Sequence, residues 1–257
     1  MTAPRKTLVG PPSRAQNDLV PTKTARITDE ADREQTRTEH RWPAIGAVLV
    51  ALALYALLPS SFLPIVRYTV VGVCLALLIP LVIINPVRMN TERPWSRKLS
   101  IVLTIVLAIA NTVALVQLIY LLLQAKSDED GTLLLAAAQV WSTNVIVFAL
   151  IYWEMDRGGP VVRTTVARDK LPQADIRFPQ DEDADTVVEV ARGSSVKSNW
   201  TASFIDYAYF SLSNAMAFSP PDAMPLSSRA KILVGVQALA AFVILVLVIA
   251  RAVSLLG

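Results

Sequence analysis

Near the C-terminus, the stretch FIDYAYFSLSNAMAFSPPDAMP, Phe204 to Pro225, gathers oxygen-bearing side chains in otherwise apolar surroundings. Asp206 falls in the first turn of an aromatic-rich helical segment. There a carboxylate caps free backbone N–H groups and complements the helix dipole. Asn214, Ser219 and Asp222 follow, around an elbow of Ala217, Phe218, Ser219, Pro220 and Pro221. Oxygens on an irregular turn can replace the hydration shell of a cation, and rings of carboxylates select cations. Ion coordination is the chemistry these residue types suit.

Other patterns fall short of a site. DEDAD, Asp181 to Asp185, begins like a calcium loop, but Thr186 replaces the turn glycine and Arg192 stands where the bidentate glutamate belongs. SSVK, Ser194 to Lys197, has the Ser-x-x-Lys spacing of acyl-enzymes without their partner motifs. NWT, Asn199 to Thr201, fits a glycosylation acceptor, but it follows a stretch that the order of the apolar runs puts on the cytoplasmic side. The single histidine, His40, and single cysteine, Cys74, leave no material for His-rich metal sites, Ser-His-Asp triads or an internal disulfide. Gly158 and Gly159 in DRGGP read as a helix end. The sequence therefore predicts no catalytic residue, no metal and no cofactor, and not an enzyme.

The elements around the oxygens are apolar. Of the 257 residues, 53% are hydrophobic, and the mean hydropathy is +0.46. The excess lies in runs long enough to cross a bilayer. They cover 43–58, 65–84 with Pro80 inside, 99–123, 133–153 and 232–250. Phe204 to Phe218 would span roughly 22 Å as a helix, short of the roughly 30 Å hydrocarbon core. No cleavable leader is expected, because the first apolar run starts late.

Loop charges set the orientation. Residues 1–42 carry eight basic and six acidic side chains, and the loop after the second run holds Arg88, Arg93, Arg97 and Lys98 against Glu92. The loop KSDEDG after the third run is acidic. These patterns agree on a cytoplasmic N-terminus. Inside the runs, Asn111 and Gln117 occupy the third, while Gln139, Ser142 and Thr143 share one face of the fourth. Polar side chains in hydrocarbon need partners, so these faces should point into the bundle as interhelical contacts.

The C-terminal stretch resembles the two-transmembrane pore domain of potassium-type channels. Asp206 and YFS at Tyr209 to Ser211 match its pore helix. Asp222 matches the aspartate after the filter, Pro225 the later proline, and Arg229 the basic residue opening the inner helix. The filter's five positions fall on Ala217 to Pro221, without glycine. Prolines fix φ near −65°, so the carbonyl geometry of the potassium filter is not available there. The chain is also similar to a bacterial family of integral membrane proteins of unknown function, which carries a Phe-Pro, here Phe178 and Pro179, ahead of a DFLYFSF-like segment. That resemblance implies location more than activity.

The expected fold is all-α: a polytopic transmembrane bundle of about six membrane segments, the fifth short or re-entrant. The expected organisation is a disordered cytoplasmic tail (1–42), a four-helix bundle (43–153), a polar loop (154–199) and a pore-like region (200–257). The expected setting is the bacterial inner membrane. The lipid bilayer and a homo-oligomer are the expected partners, nucleic acid is not, and the alternative to ion permeation is a non-conducting scaffold or regulatory subunit.

Overall fold

A computed structural model of the chain describes residues 39–59, 64–84, 94–124, 131–216 and 222–256. About 81% of the described residues are helical. The expectations for residues 1–38, for the loop at 85–93 and for the elbow Ala217, Phe218, Ser219, Pro220 and Pro221 lie outside the described residues.

The apolar runs become α1 (Trp42–Ala56), α2 (Pro64–Ile84), α3 (Pro94–Gln124) and α4 (Thr132–Met155), and the last run becomes α9 (Ser228–Leu256). Four stretches are long and apolar enough to cross a membrane: Pro64–Ile83, Trp95–Gln124, Thr132–Gly158 and Ser228–Ser254. Helix α1 is apolar but shorter. Pro80 sits inside α2, which continues through it. Helix α3 starts a turn earlier than its apolar run. Pro94 suits a first helical position, and Arg97 and Lys98 extend toward water on long stems.

Helix α4 is the hub. Of its most apolar window 56% is buried, against 17–28% for the other three spans. It touches α1, α3, α9 and the short helix α8 (Phe204–Ala215). The outward faces stay apolar, as with Ile79, Ile109, Val116, Leu239 and Ile249. Exposed apolar surface on this scale suits lipid rather than water. Two buried clusters fill the interior. One, with Leu52, Leu78, Phe148, Tyr152, Phe204 and Tyr207, lies toward the end where α4 stops. The other, with Tyr55, Leu118, Leu122, Val140 and Ile244, lies toward the opposite end.

The stretch 154–199, expected as a polar loop, folds into short elements. Helices α5 (Pro160–Thr165), α6 (Val188–Ala191) and α7 (Ser195–Ser198) are joined by 3-10 turns. Strand β1 (Ile176–Arg177) pairs antiparallel with β2 (Met224–Pro225), Ile176 opposite Pro225. Gly158 and Gly159 have φ of 79° and 98°, which side-chain-bearing residues rarely adopt, and so break the chain away from α4.

Candidate functional site

Helix α8 lies antiparallel along α4. Its Phe204 ring meets Trp153 edge-on at 6.0 Å, Phe210 meets Tyr152 at 5.0 Å, and the Ser211 hydroxyl donates to the Val145 carbonyl at 2.7 Å. So α8 starts at the end of α4 and runs back along it toward mid-bundle. After the elbow the chain returns to the end it left. Leu226 N–H donates to Asp175 O at 2.7 Å, beside the β1–β2 pair. Helix α9 then starts there and traverses the bundle, with Ile244 in the far cluster. Residues 204–216 thus run in from one end of the bundle, and Met224–Leu226 lie at that same end.

Asp206 holds the start of α8, where its Oδ2 accepts from the Ser203 N–H at 2.7 Å and the Ser203 hydroxyl at 2.8 Å. Asn214 is buried beside Tyr152. Asp222 is exposed. It does not cap α9, whose Ala230 N–H donates instead to the Ser227 hydroxyl at 3.2 Å.

The base of this hairpin rests on charged groups sealed from solvent. Asp156 is 0% exposed. Its Oδ1 accepts from the N–H groups of Asp175 (2.8 Å) and Ile176 (3.2 Å). Its Oδ2 accepts from the Tyr207 hydroxyl (2.6 Å) and Arg157 (3.0 Å). Arg157 also donates to Asp181 at 2.6 Å, and Asp181 takes the Ser195 hydroxyl at 2.7 Å and the Phe178 N–H at 3.1 Å. The acidic run expected as a solvated loop thus contributes a structural carboxylate. Among the described residues no group of three or more His, Cys, Asp or Glu could hold a metal ion. Asp175 in turn receives both arms of Arg229, one at 2.7 Å.

Arg163, 0% exposed, forms a second knot. It donates to Trp153 O at 2.7 Å, near the free carbonyls at the end of α4, to Ala202 O at 3.1 Å and to Glu39 at 3.3 Å. Its guanidinium lies 4.9 Å from the Tyr207 ring centroid. Glu39 also takes Trp153 Nε1 at 2.9 Å and the Phe204 N–H at 2.5 Å. Burial pushes the Glu39 carboxyl above its usual range, more than Arg163 and these N–H donors pull it down. The two knots join the segment before α1, the stretch 154–199, α8 and α9 into one body.

Within the bundle a second polar line crosses helices. Tyr152 donates to Gln237 Oε1 at 2.8 Å, and Gln237 Nε2 donates to Ser211 O at 2.9 Å and Ser211 Oγ at 2.6 Å. The polar residues expected to face inward divide. Asn111, Gln139 and Thr143 are buried, while Ser142 and Gln117 are half-buried. Thr143 returns its hydroxyl to Gln139 O at 2.8 Å, and Gln139 reaches Leu57 O at 3.3 Å. They are not gathered with the α8 residues.

Asp156, Arg163, Asp175, Tyr207 and Gln237 were not singled out by the sequence. The only signal was a pair of charges, Asp156–Arg157, directly after an apolar run. No family model, curated protein or solved structure matches the chain.

Proposed function

We propose that the chain is an integral membrane protein of the bacterial inner membrane, N-terminus in the cytoplasm, with α8, the elbow and α9 forming a re-entrant, ion-channel-like hairpin. With five apolar helices this makes six membrane segments. The path of the chain carries the reading: α8 is too short to cross, runs toward mid-bundle, and comes back to the end it left. Half-helices that end inside a membrane are tolerated where they are buried in protein or line a polar path. The loop charges put the base of this hairpin on the cytoplasmic side.

The elbow then serves ions through side-chain oxygens of Ser219 and Asp222 rather than through a potassium filter, with several copies around an axis. The exposure of Asp222 favours this over a capping role. The test is cation flux into liposomes holding the purified chain. Flux without preference for potassium, reduced by Asp222→Asn, is the expected result. Flux no greater than in protein-free liposomes overturns it. A non-conducting scaffold then stands in its place, a role favoured by the sealed knots, which hold the hairpin rigid.

A further inference from the structure

We propose that Glu39 is a releasable strap: it fastens the chain ahead of α1 to the first turn of α8, and the position of that chain sets how firmly α8 is held. Helix α8 takes the acceptor for its first residue from far away in the sequence. The N–H of Phe204, where α8 begins, donates to Glu39 Oε1 at 2.5 Å, across 165 positions. The same oxygen accepts from Trp153 Nε1 at 2.9 Å, and Oε2 accepts from Arg163 at 3.3 Å. One carboxylate thus serves the end of α4, the stretch 154–199 and the start of α8. A carboxylate at a helix start satisfies a free N–H and complements the helix dipole.

The strap has a root, a joint and a grip. Two residues after Glu39, Arg41 donates to Leu81 O at 2.5 Å and so ties the start of α1 to α2. His40, between them, is exposed. The grip can open without dismantling its surroundings. Arg163 keeps the carbonyls of Trp153 and Ala202, at 2.7 and 3.1 Å. Asp206 keeps the Ser203 N–H at 2.7 Å. What α8 loses is the acceptor for its first residue. The closed state is also finely balanced. Burial opposes the charge on Glu39 more than its donors favour it, which offsets much of what the three contacts contribute. The inference does not rest on ion permeation; it needs only Glu39 and α8 where they stand.

The test is hydrogen exchange of the full-length chain in detergent, read by mass spectrometry for backbone segments and by NMR for the Trp153 indole N–H. Glu39→Gln keeps the length of the side chain and one acceptor. Exchange at the start of α8 should rise about tenfold in it, the loss of a charge-assisted hydrogen bond, while α2 and α3 exchange as in the native chain. Asp206→Asn acts from the other side. Loosening the start of α8 should speed exchange of the Trp153 indole about fivefold, because coupling between two sites runs both ways. A uniform rise over all helices in Glu39→Gln would make Glu39 a general stabiliser and overturn the proposal. Unchanged exchange at the start of α8 in that variant overturns it as well, as does an unchanged Trp153 indole in Asp206→Asn. Cation flux enters none of these readouts, so their failure is distinct from failure of the liposome assay.

Discussion

Asp156 and Asn144 sit on or just past the same helix, both sealed from solvent, and the fold treats them oppositely. Asp156 collects four donors, among them a guanidinium. The Asn144 Oδ1 finds no donor among the described residues, and neither do Asn111 Oδ1 and Gln139 Oε1. An uncompensated buried charge is far more costly than an unsatisfied amide. In a membrane bundle an amide's cost is further reduced, because the unfolded chain in lipid also finds partners. The end of the bundle where α4 stops is therefore specified by charge pairing, and the part of the interior around Asn111, Gln139 and Asn144, away from the Tyr152–Gln237–Ser211 line, by packing. Stability should be sensitive to polar substitution at the first and tolerant at the second.

The largest effect should come from Asp156→Asn. The side chain keeps its shape, but the buried charge on which four donors converge is lost and an amide N–H is turned toward some of them, while Arg157 keeps only Asp181 as its counter-charge. Breaking a buried pair from one side costs about 3–5 kcal/mol. The detergent-purified variant should melt well below the native chain, and an unaltered melting temperature would dissolve the contrast drawn above. Tyr207→Phe comes next. It removes only the hydroxyl that reaches Asp156 at 2.6 Å, and a hydrogen bond to a charged group contributes about 1.5–3 kcal/mol. If Tyr207→Phe and Asp156→Asn add independently in the double variant, the two groups do not belong to one network.

The helices were legible because hydropathy is a local, repeated signal. The runs at 65–84 and 133–153 became Pro64–Ile84 and Thr132–Met155. Asp206 was legible for the same reason, since its partner Ser203 is three residues away. The glycines of DRGGP announced the end of α4. The pairs Asp175–Arg229, Asp156–Tyr207 and Glu39–Arg163 were not legible. Their members are separated by 54, 51 and 124 positions, with no period to connect them. Gln237 hid within a run of aliphatics, where one amide does not alter the hydropathy. Phe178 was flagged by resemblance, and the structure gives it a place, 5.3 Å from Tyr207 and 5.8 Å from Trp200, ring to ring.

A smaller effect is expected at Asp206, which is half-buried and local in its contacts. Asp206→Leu removes the acceptor for both Ser203 donors and a favourable charge at a helix start, a loss of about 1 kcal/mol. The melting temperature should fall by less than in Tyr207→Phe. A drop as large as that of Asp156→Asn would mean that the start of α8 is part of the sealed network rather than its rim.

The smallest effect is expected at Gln139, in the tolerant middle. Its amide reaches Leu57 O at 3.3 Å, a long contact, while its oxygen has no donor among the described residues. Gln139→Met keeps the length and flexibility of the side chain and removes both polar atoms. The long hydrogen bond is lost, about 0.5–1.5 kcal/mol at most, and relief of the unsatisfied oxygen offsets it by a similar amount. The Leu57 carbonyl keeps company at the end of α1, where Arg67 crosses from α2 to donate to Leu58 O and Pro59 O. The variant should melt close to the native chain. A loss comparable to that of Tyr207→Phe would show that the bundle interior depends on polar pairing as its end does, and would merge the two regions into one.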